Sequence, residues 1–105
     1  MIHQSEIDDA VRYLENQSDR LAELEAAAIQ ADRTYELKKY KAYMQTSGTI
    51  AERTAQAECE PEVQASWELA LEAKTAFKKE KIKREAYSDM IQIWRTQESS
   101  RRAGV

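Results

Sequence analysis

The stretch SGTIAERTAQAECEP, residues 47–61, decides the fold because it contains both helix breaks of the chain. Gly48 can adopt the left-handed conformation that ends a helix without steric cost. Thr49 followed by Glu52 is a capping box, which starts a new helix. Pro61 disfavours helical geometry in the residue before it and suits the first turn of the next helix. The stretch therefore predicts a short tip helix, at about residues 50–59, between two longer helices.

Apolar residues recur at heptad spacing on both sides of this tip. Before it they are Ile7, Leu14, Leu21, Ala28, Tyr35 and Ala42, with Val11, Leu24 and Ala31 on the intermediate turns. After it they are Val63, Ala70, Phe77 and Ile91, with Ala73, Tyr87 and Trp94 on the adjoining positions. Each stripe can pack along a neighbouring helix. We therefore predict helices at about residues 5–46, capped by Ser5, and 62–98, with a frayed C-terminus at 99–105.

Neither long helix can bury its stripe alone, so the two most economically fold back on each other. The predicted fold is all-α: a long, antiparallel, coiled-coil-like helical hairpin with a short helical tip, in one domain over residues 1–105. We expect hairpins of this kind to assemble into a helical bundle. One proline and two glycines in 105 residues fit this fold class.

Composition also bears on the cellular location of the protein. A single cysteine, Cys59, cannot form an internal disulfide, and no apolar stretch approaches the roughly 20 residues that span a membrane. The first five residues lack the basic start and apolar run of a secretion signal. We expect a cytoplasmic protein without a membrane partner.

Catalytic and metal-binding residue types are scarce in this sequence. His3 is the only histidine and lies in a terminus where order is usually low, and Cys59 is expected to be a semi-buried small hydrophobe. One Cys and one His do not make a nucleophile pair or a zinc site of the usual type. Two separated glycines exclude a glycine-rich phosphate loop. The sequence thus predicts a non-enzyme with no catalytic residues, no cofactor and no metal.

A second apolar set lies away from the hairpin stripes, and large uncovered apolar surfaces usually mark interfaces. This candidate oligomer interface comprises Ile29, Leu37, Tyr40 and Met44 on the first long helix and Ile82, Met90 and Ile93 on the last. It predicts a homo-oligomer, a dimer or larger. Alternatively, the tip helix folds back over the first set and lysine stems cover the second.

Charge is segregated along the chain. Residues 1–32 hold eight acids and two bases, a balance of −6, and residues 73–105 hold nine bases and four acids, a balance of +5. One interpretation is that these blocks complement each other across the hairpin. The other is that lysines interleaved with aromatics bind nucleic acid, since they can neutralise phosphates and stack on bases. The candidate contacts are Lys38, Lys39, Lys41, Lys78, Lys79, Lys81, Lys83 and Arg84.

The tip also carries a resemblance to known proteins. Residues 47–57, SGTIAERTAQA, resemble small helical proteins of tailed bacteriophages, in which a Gly-Thr-x-Ala-Glu-Arg turn joins two long helices rich in Ala and charged residues. The resemblance covers about residues 21–84; beyond Tyr87 the chain departs, with Met90, Ile91 and Trp94 in place of a Leu- and Arg-rich end. Such proteins are often encoded in early or recombination regions near single-strand annealing proteins. The resemblance implies a DNA-metabolism setting in a bacterial host and no catalytic residues.

The leading hypothesis is therefore an oligomeric, non-enzymatic phage accessory protein that supports DNA recombination or replication by contacting DNA or a DNA-bound protein. A second hypothesis is an inhibitor of a host nuclease or defence protein that uses the acidic first segment. That segment contains Glu6, Asp8, Asp9, Glu15, Asp19, Glu23 and Glu25. A third is a structural spacer or assembly factor.

Overall fold

The computed structural model describes residues 2–104, which form four helices and no strand. The helices are α1 (Gln4–Asn16), α2 (Arg20–Met44), α3 (Ile50–Glu58) and α4 (Pro61–Ala103). The predicted all-α helical hairpin is confirmed. Assembly of hairpins into a bundle stays a prediction.

The chain divides into two compact units. Unit 1 combines the residues up to Leu21 with those from Lys78 onward, and unit 2 runs from Ala22 to Phe77. Unit 1 therefore contains α1 and the second part of α4, whereas unit 2 contains most of α2, all of α3 and the first part of α4.

Unit 1 is held together by a small apolar core between α1 and α4. Ile7 and Ala10 of α1 and Ile91 of α4 are buried. Around them pack the partly buried residues Ile2, Val11, Leu14, Tyr87, Met90 and Trp94. Six of these nine residues follow the heptad pattern noted in the sequence, so the period of the apolar residues predicts this contact.

The core of unit 2 is formed by smaller side chains. Ala28, Ala57, Val63 and Ala70 are its buried apolar residues. Asp32 of α2 forms an ion pair with Lys74 of α4, with 2.7 Å between Oδ1 and Nζ. Because these buried apolar side chains are small, unit 2 buries little apolar volume in its interior.

The tip begins as its sequence predicts. Gly48 has a positive φ of 118°, which L side chains rarely adopt. The Thr49 hydroxyl caps α3 by accepting a hydrogen bond of 3.2 Å from the Glu52 backbone N–H. Arg53 then reaches back to α2: its guanidinium lies 4.1 Å from the Tyr43 ring centroid and donates a hydrogen bond to the Tyr43 carbonyl. Gly48, Thr49 and Arg53 of the Gly-Thr-x-Ala-Glu-Arg turn thus each have a structural role in the tip.

Two helix boundaries differ from the sequence prediction at the N-terminal side. The single helix expected over about 5–46 is divided at residues 17–19, and its first part begins at Gln4, with His3 rather than Ser5 at the N-cap. The His3 backbone N–H donates to the Glu6 carboxylate at 3.4 Å. Contacts from another helix also stabilise the division, because Arg84 of α4 donates hydrogen bonds to the Leu14 and Gln17 carbonyl groups at the end of α1.

The C-terminal boundary also differs. A frayed end was expected over residues 99–105, but α4 continues to Ala103. Arg101 pairs with Glu98 one turn earlier at 3.0 Å, and the Gly104 N–H donates to the Ser100 carbonyl at 2.9 Å. Local contacts thus extend the helix; Val105 lies outside the described residues.

Removal of the Thr49 cap tests the structure of the tip. We expect Thr49→Ala to lower the free energy of unfolding by about 1 kcal/mol, because the Glu52 N–H loses its acceptor. Urea denaturation measures this change. The control is Thr34→Ala, since the Thr34 hydroxyl only bonds back to the Gln30 carbonyl of its own helix and alanine is the better helix former. Equal unfolding midpoints for wild type and Thr49→Ala would contradict the assigned cap.

Candidate interaction surface

The most exposed apolar surface of unit 2 lies on α2. Ile29, Leu37, Tyr40 and Met44 are each between 56% and 63% exposed. At about 100° per residue they fall within about 80° of arc, roughly opposite the buried Ala28 and the half-buried Tyr35. We call these four residues the α2 outer stripe.

The tip helix does not cover the α2 outer stripe. α3 packs beside it, where Ala57 is fully buried and Glu58 pairs with Lys39 at 3.5 Å. A cavity of about 200 Å³ opens between α2 and α3, lined by Glu36, Lys39, Tyr40, Tyr43, Thr54 and Ala57. Tyr40 belongs to both the stripe and the cavity. The alternative in which α3 folds over this stripe is therefore wrong.

Other exposed apolar side chains of unit 2 lie outside the stripe. Trp67, Leu69 and Leu71 of α4 are about half exposed or more, and Ile50 at the start of α3 is more exposed still. Trp67 lines a second cavity of about 350 Å³ with Tyr35, Glu58, Val63 and Gln64. These leucines provide matched controls for substitutions in the α2 outer stripe.

The three candidate interface residues of α4 divide into two environments. Ile82 and Ile93 are exposed by more than half. Met90 is partly buried and packs against the core formed by Ile7, Ala10 and Ile91. Its placement in a free apolar surface was wrong, because Met90 directly precedes the buried Ile91 and its long side chain turns into the same core.

The first lysine cluster does not form one basic surface. Lys39 pairs with Glu58 and lies 5.8 Å from the Tyr35 ring centroid. Its pKa is raised, mainly by the Tyr35 phenolate that forms at high pH, and also by the hydrogen bond to Glu58. Lys38 and Lys41 line a cavity of about 160 Å³ together with Glu60 and Glu62. Acidic neighbours therefore oppose the attraction of phosphates to these lysines.

The second cluster is also divided. Lys78, Lys79 and Lys81 are exposed, but Lys79 lies at least about 100° around the helix from the other two. Lys83 lies 4.3 Å from the Tyr13 ring centroid, a cation–π contact within unit 1. Arg84 donates to the Gln17 carbonyl at 3.0 Å and to the Leu14 carbonyl at 3.4 Å. Arg84 therefore has a structural role in unit 1, and nucleic-acid contact by this residue stays a prediction.

A buried carboxylate stands beside Arg84. Glu80 is only 6% exposed; it accepts a short hydrogen bond from the Tyr13 hydroxyl and pairs with Arg20 at 3.5 Å. A buried charge needs such partners because desolvation is costly. The heptad pattern contained the signal for both residues. Arg84 lies seven residues from Phe77 and from Ile91, and Glu80 lies seven from Ala73 and from Tyr87.

The network around Tyr13 gives a pH prediction. The hydrogen bond to Glu80 is the main cause that raises the pKa of Tyr13, followed by burial and the Glu80 charge, with Arg20 and Arg84 acting in the opposite direction. A pKa raised in the folded state contributes stability that is present below about pH 10 and lost as pH rises through the folded value. We expect the free energy of unfolding to fall more steeply above pH 10 in wild type than in Tyr13→Phe. Urea denaturation from pH 8 to 11 measures both, and equal slopes would contradict this linkage.

The acidic side chains of the first segment are exposed and partly engaged in local contacts. Glu6 accepts from the His3 N–H, Asp8 accepts from Gln4, and Asp9 pairs with Arg12. Two ion pairs within residues 2–104 join the acidic and basic blocks. Asp32 with Lys74 pairs an acid of the first block with a base of the second, whereas Arg20 with Glu80 has the charges the other way round.

Metal-binding residue types are not clustered in the described part of the chain. No group of three or more His, Cys, Asp and Glu side chains in residues 2–104 could hold a metal ion. Cys59 is exposed at the end of α3 rather than semi-buried as expected, because it lies in the turn between α3 and α4.

The helices of residues 2–104 include none that is both long and apolar enough to cross a membrane. No protein-family model matches this sequence, and comparisons with curated proteins and with solved structures found no significant match.

Proposed function

We propose that this chain is a non-enzymatic accessory protein that works by binding polypeptide through the α2 outer stripe. The observation that carries the proposal is the exposure of all four stripe residues on one face of a helix whose opposite face is packed. Burying a side chain of this size typically stabilises by about 1.5–3 kcal/mol. Four such side chains on one face supply enough free energy for a specific contact.

The proposed setting is DNA recombination or replication in a tailed bacteriophage, within the cytoplasm of its bacterial host. Support for this setting comes from the resemblance of residues 47–57 to the turn of small phage proteins. Polypeptide contact is favoured over direct DNA contact because five of the eight candidate basic residues are engaged with carboxylates, aromatic rings or carbonyls, or have acidic neighbours in their cavity. These are Lys38, Lys39, Lys41, Lys83 and Arg84.

A genetic test separates these modes of contact. The stripe variant, Leu37→Glu with Tyr40→Glu, places two charges in the α2 outer stripe. The matched control is Leu69→Glu with Leu71→Glu, at two exposed leucines of the same unit. Lys78→Glu with Lys79→Glu and Lys81→Glu removes the free lysines. We expect recombination between two phage markers to fall at least 10-fold with the stripe variant and to stay within a few-fold with the other two.

Two results would contradict the proposal. A loss confined to the lysine variant, together with steeply salt-dependent binding to single-stranded DNA, would assign direct phosphate contact instead. Unchanged recombination in all three variants, with each protein present at wild-type level, would contradict the DNA-metabolism setting.

A further inference from the structure

The face that carries the α2 outer stripe also holds two charged residues of opposite sign. Arg33 and Glu36 are exposed; at about 100° per residue, Arg33 lies within the arc of the stripe and Glu36 lies about 20° outside its Ile29 edge. Although they are three residues apart on one helix, they are not paired with each other. Neither makes an ion pair within residues 2–104.

We infer that a second copy of this chain covers the α2 outer stripe, with the two α2 helices antiparallel about a two-fold axis between Glu36 and Leu37. This inference rests on the proposed function, which makes the stripe a contact surface. In this register Ile29 lies opposite Met44 of the second copy, and Arg33 lies opposite its Tyr40. Arg33 is then one turn, about 6 Å along the axis, from the second copy's Glu36.

Charge complementarity selects this register. The two-fold axis places Arg33 of each copy beside Glu36 of the other, which makes two equivalent ion pairs flanked by apolar contacts. A shift of one residue in one direction places Glu36 opposite Glu36, and parallel helices in register would place Arg33 against Arg33. Both alternatives bring like charges together, which is destabilising. A shift in the other direction places Arg33 opposite Lys41, although it also places Glu36 opposite Lys38.

The apolar residues at the two ends of the α2 outer stripe also meet in this register. Ile29 and Met44 lie 15 residues apart, so the antiparallel arrangement brings the two ends of the stripe onto each other. The same arrangement keeps Ile29 of one copy about 22 Å along the axis from Ile29 of the other. This separation allows a direct test.

The test uses short bismaleimide cross-linking in a background with Cys59→Ser, which removes the chain's only cysteine. One protein carries Ile29→Cys and another carries Met44→Cys. We expect cross-linked dimer when the two proteins are mixed, and at least 10-fold less from either protein alone. Cross-linking of the Ile29→Cys protein with itself would indicate parallel helices and overturn the inference.

Charge exchange tests the ion pairs. Arg33→Glu alone should weaken dimerisation about 10-fold, and adding Glu36→Arg should restore it. Dimers that depend on Leu37 and Tyr40 but show neither the mixed cross-link nor the restoration would overturn this register and leave the proposed function standing. A monomeric chain whose stripe variant still abolishes recombination would overturn the second copy as occupant. A monomeric chain with unchanged recombination would contradict both proposals.

Discussion

Changing Leu37 and Tyr40 together to Glu is expected to weaken self-association at least about 100-fold. Each of the two side chains is more than half exposed in the single chain. Burying each in a dimer contributes about 1.5–3 kcal/mol, and 1.4 kcal/mol corresponds to a tenfold change in the dissociation constant. The glutamates would also place charge in an apolar contact, which adds a desolvation cost. Sedimentation equilibrium gives the dissociation constants of both proteins.

The helical structure should survive this change. Both positions face solvent in unit 2, and glutamate is a good helix former. Circular dichroism should therefore retain most of the helical signal. The control, Leu69→Glu with Leu71→Glu, should associate like wild type; equal weakening in the control would show that the stripe is not the contact surface.

Replacing Arg84 with Ala is expected to lower the free energy of unfolding by about 2–3 kcal/mol. The guanidinium donates to two carbonyl groups, those of Leu14 and Gln17, where α1 ends. Hydrogen bonds from a charged group typically contribute about 1.5–3 kcal/mol. The Gln17 carbonyl also accepts a hydrogen bond from the Arg20 backbone N–H at 3.1 Å, so its loss is partly compensated. Urea denaturation at one fixed protein concentration measures the loss.

Two variants separate this role from DNA contact. Lys81→Ala removes an exposed positive charge three residues away and should change stability by no more than about 0.5 kcal/mol. Arg84→Lys keeps the charge but cannot present the same fork of donors, so it should recover only part of the lost stability. Unchanged stability in Arg84→Ala would contradict the structural role assigned to this residue.

The apolar heptads predicted most of the fold because their period is a direct consequence of helix geometry. Ile7 and Ile91, which lie in the two stripes, meet in the core of unit 1, and Val63 and Ala70 are buried in unit 2. The tip was predictable as well, because Gly48 allows a positive φ, Thr49 can cap the next helix and Pro61 fixes its own φ. These signals need no knowledge of distant residues.

The break between α1 and α2 was not predictable in the same way. Residues 17–19 contain neither glycine nor proline; Ser18 interrupts the apolar stripe, but Leu14 and Leu21 keep the heptad spacing on either side. The carbonyl groups freed there are satisfied by Arg84, which is 67 residues from Gln17. A contact between residues this far apart in the chain leaves no local signal.

For a similar reason, the sequence predicted the exposed apolar stripe better than it predicted the roles of the basic residues. Exposure of the α2 outer stripe follows from its position opposite the packed face, so helical angle suffices. The roles of the basic residues depend on which neighbours the fold supplies: Glu58 for Lys39 and the Tyr13 ring for Lys83. Counting residues gives the net charge of a segment but does not show which group each charged side chain contacts.

The mass of the wild-type protein in solution tests the central claim most directly. The chain has a mass of 12.1 kDa, and light scattering at micromolar concentration is expected to give about twice this value. The expected dimer follows from the four exposed apolar side chains of the α2 outer stripe. A mass of one chain across the whole micromolar range would contradict coverage of the stripe by a second copy.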